Sequence, residues 1–383
     1  MQSLRPYANE HQLEVLEAVI KHGSASKAAK HLDMDRRGID RLITRITANA
    51  AKQGYAPDHD MNNTVPDGFG IRGVSTLYDD SGDIKAQWVK SQIDPEKQKE
   101  IYEAAIAAMA SSIPREKAVT KTPTGVKDDL LSFYVITDYH LGMLSWGEET
   151  GADWDIKIAE DLLVNWFLSA VQAGPKAKVG VLAQLGDLLH YDGMEAVTPA
   201  SGHILDADSR FQKVVRVAIR AFRRVVREML KHHELVHIIH AEGNHDPASS
   251  IWLRELFAAL YEDEPRVTVD LSADPYYCYE WGKTALFAHH GHKKKLASID
   301  EVFVAKFREV YGRTQHCYGH MGHYHHKHVL ETTLMEIEQH RTLASPDAYA
   351  SRGGWMSGRS ATKINYHKDY GEVGRFIISP EML

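Results

Sequence analysis

Histidine is the residue type in this chain whose number and spacing first suggest chemistry. There are 23 in 383 residues, five of them between His232 and His245 and nine between His289 and His328. They do not form one tract. They recur with carboxylates at the ends of separate apolar runs, which is where open α/β sheets place ligand sites. In chain order these ends read Asp138-Tyr139-His140, Gly186-Asp187, Gly243-Asn244-His245-Asp246, His289-His290-Gly291-His292 and Gly322-His323-Tyr324-His325. A carboxylate with a histidine two residues on can aim both side chains at one ion from the loop after a strand. Carboxylate, amide and imidazole donors without cysteine suit Mn²⁺, with Fe or Zn²⁺ as alternatives, in an open catalytic site. The remaining histidines and the asparagine provide for a second ion. Two cations about 3.5 to 4 Å apart would neutralise phosphoryl oxygens, activate a water as hydroxide and hold the in-line geometry of a phosphoester displacement. A histidine of ordinary pKa, about 6.5, could then protonate the departing alkoxide.

The elements that must carry these blocks are short. From Asp128 onward apolar runs alternate with helical patterns, which predicts an α/β domain over residues 128–383. Leu130 to Thr137, Val179 to Leu185, Leu235 to Ala241 and Thr284 to Ala288 are the strand candidates, each ending at a polar cluster. The segment His233-Glu234-Leu235-Val236-His237 also matches HExxH, the zinc-protease signature. That motif needs one continuous helix under both histidines. Here the helical pattern ends near His232 and a β-branched run begins, so a protease is not expected.

Taken together and in this order, the five blocks resemble the calcineurin-like metallophosphoesterases over roughly residues 128 to 383. The resemblance implies an α/β/β/α fold, two β-sheets packed as a sandwich and flanked by helices. It implies that Asp138, His140 and His325 bind one ion, that Asn244, His290 and His323 bind the other, and that Asp187 bridges them. It also implies His245 as the general acid, with Asp246 orienting it. Asp138-Tyr139-His140-Leu141-Gly142 and Gly186-Asp187-Leu188-Leu189 look more like the nuclease branch, the SbcD-type exonuclease subunits, than the phosphoprotein phosphatases. Such enzymes work as dimers with an ATPase partner, so a homodimer is what the resemblance would imply here, and whether this chain has an ATPase partner stays open.

Residues 1–56 read as a separate helical module. Leu13, Leu16, Val19 and Ile20 lie at helical spacing and Gly23 is a stop; Ser24 or Ser26 can cap a second helix and Asp35 a third. Ser26 to Ile43 resembles a helix-turn-helix with its turn at Asp33 and Met34, which nominates Arg36, Arg37 and Arg41 as DNA contacts. These 56 residues carry nine Lys/Arg and six Asp/Glu, net +3, within a chain whose total is −7. The sign asymmetry favours a DNA-facing module, with a helical assembly module as the alternative. Residues 57–127 read as a hairpin (Val74 to Tyr78 with Ile84 to Val89), a helix from Glu96 to Ser112, and a linker from Ile113 to Lys127.

Three further features bear on the substrate. Asp208 to Lys231 is a two-faced helix with Arg210, Lys213, Arg216, Arg220, Arg223, Arg224, Arg227 and Lys231 on its polar side, either a phosphate-binding stripe or a solvated surface. Lys293-Lys294-Lys295 directly follow the histidine block. The loop from Tyr191 to Ala207 is placed to overhang the site. Composition is ordinary for a globular protein, 43% hydrophobic and 25% charged, with only Cys278 and Cys317 and no apolar run long enough to span a membrane. A reducing cytoplasm fits that usage, and a disulfide framework does not. The expectation is a metal-dependent phosphodiesterase acting on DNA, and the modular layout looks like proteins of tailed phages and prophages. A phosphomonoesterase or nucleotide phosphatase, and a DNA-binding regulator with an inactive metal site, are the alternatives.

Overall fold

Alternation along the strands decides how the α/β unit is layered. In the computed structural model, which describes residues 1–52, 69–78, 84–93, 115–119, 122–199 and 201–383, successive side chains of β3 (Lys127–Ile136) point to different cores. Leu131, Phe133 and Val135 enter one core, whereas Tyr134 and Ile136 enter another. β4 (Ala177–Gln184) divides in the same way, with Val179, Val181 and Ala183 on one side and Leu182 on the other. A strand with both faces covered has to be apolar throughout, and this is why these two runs read so clearly in the sequence.

The chain divides into two compact units, Met1–Ile106 and Ala107–Leu383. In the second, a six-stranded sheet has the order β13-β12-β3-β4-β5-β6, with β5 Leu235–His240, β6 Val267–Val269, β12 Ala361–His367 and β13 Gly371–Ile378. A five-stranded sheet has the order β10-β11-β9-β8-β7, with β7 Tyr277–Trp281, β8 Thr284–His289, β9 His316–Met321, β10 His328–Glu331 and β11 Glu336–Gln339. Leu131, Val181, Ile239, Leu286 and Tyr366 pack between the sheets. The long helices Ile156–Gln172, Phe211–His232 and Pro247–Leu260 contribute Trp166, Phe222 and Phe257 to the core on the outer face of the larger sheet. Phe303, from the helix Ile299–Lys306, packs with Phe287 and Ile337 of the smaller sheet. The fold is therefore mixed α/β, two sheets flanked by helices, the α/β/β/α class expected from the sequence.

Two consequences bear on the site. β3, β4 and β5 are parallel, as are β8 and β9, so the loops that follow them leave from the same ends of their sheets. The His233/His237 pair is not helical: the helix ends at His232 and β5 starts at Leu235. His233 lies between the Tyr134 hydroxyl and the Ala177 carbonyl, each at 2.7 Å, and His237 meets Thr268.

In the first unit, α1 (Glu10–His22) opens with a capping box between Asn9 and Gln12 and stops at Gly23 in the left-handed region. Ser24 caps α2 (Ala25–His31), and α3 runs from Arg36 to Lys52. Asp33, in the turn between α2 and α3, adopts φ +49°. Val15, Val19, Ala28, Ala29 and Ile39 form the shared core. Arg36, Arg37 and Arg41 are all exposed. β1 (Phe69–Tyr78) and β2 (Ile84–Ile93) pair antiparallel, with Val74 opposite Val89. The turn at 79–83 and the helix expected from Glu96 to Ser112 lie outside the described residues. Part of the expected linker is held against the α/β unit. The Glu116 carboxylate binds both Arg223 and Arg227, and its backbone N–H donates to Leu260 at 3.0 Å. Among the described residues no helix is long and apolar enough to cross a membrane.

Several buried histidines set the acid stability. Burial holds His233 and His240 down to about 3. Above the ordinary value of about 6.5 neither group is protonated in the folded or the unfolded chain; below it only the unfolded chain binds these protons, so stability falls with pH until the folded value is reached. The two together give a slope of about 2.7 kcal/mol per pH unit in that window. Urea unfolding of metal-free protein at pH 5 and pH 7 checks this, and His240→Leu should reduce the slope by about 1.4 kcal/mol per pH unit. An unchanged slope in that variant would contradict the assignment.

Candidate metal centre

Each loop is committed to its position by backbone hydrogen bonds before any side chain is considered. Asp138 N–H donates to Gly186, His140 N–H to Asp187 and Gly322 N–H to His290, at 2.8 to 3.1 Å. This brings together Asp138, His140, Asp187, Asn244, His290, His323 and His325, which come from five separate stretches of chain. The possible donor atoms of Asp138, His140 and His325 lie within 4.8 Å of one another, and so do those of Asp138, Asp187, His290 and His323. Asp138 thus belongs to both groups. The Asn244 Oδ1 stands 3.2 Å from His290 Nε2. These clustered side chains can hold metal.

The backbone is strained where the donors sit. Among the described residues six non-glycine residues have positive φ, and five of them are Asp138, His140, Asp187, His323 and His325, at +49° to +75°. Each such conformation costs on the order of 1 kcal/mol and persists only where surrounding structure enforces it. The loops also pack too tightly for extra atoms. A Cβ on Gly243 would overlap the Asp187 carboxylate, and one on Gly322 would overlap Thr137 and Asp138.

Donor chemistry shows that the residues fit a cation. His290 Nδ1 lies 2.8 Å from the Leu185 carbonyl, which can only accept, so the proton is on Nδ1 and Nε2 is left with a lone pair. That lone pair faces Asp187 Oδ2 at 3.1 Å, Asn244 Oδ1 at 3.2 Å and Asp138 Oδ1 at 4.0 Å. Four acceptors turned towards one another require a positive charge among them. Without metal a proton supplies it: burial opposes protonation, but the Asp187 and Asp138 carboxylates outweigh it and lift His290 to about 10. The same histidine, against the desolvation that would raise them, holds Asp187 well below the usual carboxylate range and helps His325 do so for Asp138. Burial, then His245 and His190, keeps His140 neutral. Metal must therefore displace the His290 proton near neutral pH, and its affinity rises with pH. Titration calorimetry at pH 7.5 in buffers of different ionisation enthalpy should show release of about one proton or more as the site fills. No buffer dependence would refute this.

His245 and Asp246 are placed differently from each other. His245 N–H donates to Asp187 Oδ1 at 2.8 Å, and its ring stands 4.7 Å from that of His140. Its Nδ1 meets the His190 carbonyl at 2.8 Å. Asp246 does not take the orienting role expected of it. Its buried carboxylate accepts instead from the backbone N–H groups of Asp187, Leu189 and Gly243, so it braces the two loops against each other. Burial, followed by the neighbouring Asp187 charge, pushes it up to about 8.

One residue in the cluster was not anticipated. His190 is buried, its Nδ1 is 3.2 Å from His140 Nδ1, and it forms a third possible donor group with His140 and His245. Its place three residues after Asp187 was the only available signal. Thr342, whose hydroxyl donates to the Asp138 carbonyl at 2.7 Å, gave none.

The cationic features contribute less than the sequence suggests. On the helix Phe211–His232, Arg220 pairs with Glu160, Arg223 and Arg227 with Glu116, and Lys231 with Glu228. Among the described residues, four of the eight cations of the stripe are thus paired within the chain, with three carboxylates. Lys293 is engaged by Glu242 at 2.7 Å, while Lys294 and Lys295 remain exposed.

No family model matches the chain, and no curated protein matches it. Solved structures similar to it include a dimetal phosphatase from Danio rerio, with 12% identity, 66% of this chain and 99% of that chain covered, and a TM-score of 0.34. A predicted phosphoesterase from Streptococcus pneumoniae shows 12% identity, 65% and 98% coverage and a TM-score of 0.27. Vps29 complexed with Zn²⁺ from Entamoeba histolytica shows 11% identity, 66% and 99% coverage and a TM-score of 0.26.

Proposed function

We propose that this chain is a two-metal phosphoesterase of the calcineurin-like type, and that its substrate is a phosphodiester of DNA. The observation that carries the reading is the convergence of seven donors from five loops, five of them on left-handed backbone. When bound, two divalent cations supply charge neutralisation at the phosphoryl oxygens and a water acidic enough to attack at neutral pH. Asp138, His140 and His325 would hold one, and His290, His323 and Asn244 the other, and Asp187 would be shared between them. Mn²⁺ suits this oxygen and nitrogen donor set.

The chain's own groups do the rest. The His190 carbonyl fixes the His245 proton on Nδ1, so Nε2 is the nitrogen that can hand a second proton to a departing alkoxide. Asp138, Asp187 and His290 are almost wholly buried, which strengthens their electrostatic grip on a bound charge. DNA is favoured by the exposed Arg36, Arg37 and Arg41 on α3, within residues 1–56, whose nine Lys/Arg exceed their six Asp/Glu. A cytoplasmic location and a homodimer are compatible with this reading.

Mn²⁺-loaded protein should be offered p-nitrophenyl phosphate, bis(p-nitrophenyl) phosphate and labelled DNA. Cleavage of the diester and of DNA is the expected result. DNA left whole while the monoester is hydrolysed would replace this reading with a phosphomonoesterase, and inertness towards all three would leave a DNA-binding regulator.

A further inference from the structure

Beside the donor cluster the chain exposes aromatic rings that neither packing nor metal binding uses. Tyr324 stands between His323 and His325 in sequence, its ring 4.7 Å from that of His323, and is half exposed. The Gly-rich stretch Arg352 to Arg359 holds Trp355, 60% exposed, and the preceding short helix holds Tyr349, 70% exposed. These two rings meet edge to face at 5.1 Å, and His203 stacks on Tyr349 at 6.4 Å and 25°. The stretch is tied to the site: the Ser357 hydroxyl donates to the His325 carbonyl at 2.6 Å. Arg341 reaches the same stretch at Gly358, is exposed, and has no carboxylate partner among the described residues.

Rings that face water beside a phosphoester site meet whatever flanks the phosphate. Every nucleobase offers a π-face, and stacking on an exposed aromatic is sequence-tolerant, whereas bases inside a duplex are already stacked and out of reach. The Arg341 guanidinium, at Gly358 three residues beyond Trp355, offers a charge that complements a phosphate of the same strand. Resting on the phosphodiesterase reading above, we propose that Tyr324, Tyr349, Trp355 and Arg341 form a stacking platform for unpaired bases, which makes a single-stranded segment or a frayed end the substrate of this site.

The test uses the full chain in EDTA with a fluorescein-labelled oligothymidylate of roughly twenty nucleotides and, in parallel, a blunt duplex of equal length. Binding of the single strand is expected to depend on the rings, and binding of the duplex is not. Trp355→Ala and Tyr349→Ala should each weaken it about tenfold, and Trp355→Phe should retain most of the affinity. Both rings are exposed, so truncation opens no cavity, and an unchanged thermal midpoint confirms folding. Affinity unmoved by either alanine, or an equal loss for strand and duplex, would overturn the platform. So would a Trp355→Ala protein with altered oligomeric state and intact oligonucleotide affinity, since the patch would then serve a second copy of the chain. Hydrolysis of bis(p-nitrophenyl) phosphate by the metal-loaded wild type separates the two readings. Diester hydrolysis without ring-dependent binding rejects the platform alone, and ring-dependent binding without hydrolysis rejects the metal chemistry alone.

Discussion

Asp187→Asn protein is expected to fold, to lose at least one of two bound Mn²⁺ and to hydrolyse a phosphodiester at least about 10³-fold more slowly. Asp187 is the carboxylate with the most demands on it. One oxygen accepts from His245 N–H at 2.8 Å and the other faces His290 Nε2 at 3.1 Å, and the residue itself is almost wholly buried. The amide keeps volume and tolerates the residue's φ of +52°, so the substitution removes charge without asking the backbone to move. Losing an outlying partner of a metal ligand already costs about 10- to 100-fold in metal affinity, and losing an anionic donor costs more. Elemental analysis after gel filtration, together with steady-state kinetics, measures both effects. Full metal content with full activity would remove Asp187 from the mechanism.

His245→Ala should separate binding from turnover. The His245 ring contacts the His190 carbonyl through Nδ1 and lies beside His140, and the two donor groups that include Asp138 do not need it. Metal content is therefore expected to stay near wild type while cleavage of DNA falls by about 10²- to 10⁴-fold, the usual contribution of a positioned general acid. The leaving group provides a sharper readout. A p-nitrophenolate departs without help, so hydrolysis of bis(p-nitrophenyl) phosphate should fall far less than hydrolysis of an alkyl diester. Equal losses on both substrates would mean that His245 acts by binding rather than by proton transfer.

What could be read from the sequence follows from how local the cause was. β3, β4, β5 and β8 are apolar runs buried on both faces, and each was visible as a run. β12 was not, because Lys363 and Asn365 are buried in it and are made tolerable by distant partners. Lys363 Nζ donates to the Ala173 carbonyl at 2.6 Å, and Asn365 Oδ1 accepts from Ser132 at 2.9 Å. β9, His316–Met321, carries two histidines, a cysteine and a glycine, a composition with no strand signal of its own. In the first unit Gly23 and Ser24 marked the helix boundaries correctly because caps act over a few residues.

The candidate site shows the same division. The donor residues were legible because each sits at a strand end with a companion one to three positions away. What holds them was not. Asp246 follows His245 directly, yet its hydrogen bonds run to Asp187, Leu189 and Gly243. The cationic stripe looked free because Glu116, which binds two of its members, lies more than a hundred residues earlier in the chain.

The left-handed backbone at Asp138, His140, Asp187, His323 and His325 also constrains descent. A branched or bulky newcomer at any of these positions would be penalised by the turn itself, whether or not an ion is ever bound. Lineages that abandoned the chemistry should therefore still carry glycine, asparagine, aspartate or histidine there, and ancestry would remain visible long after activity was gone.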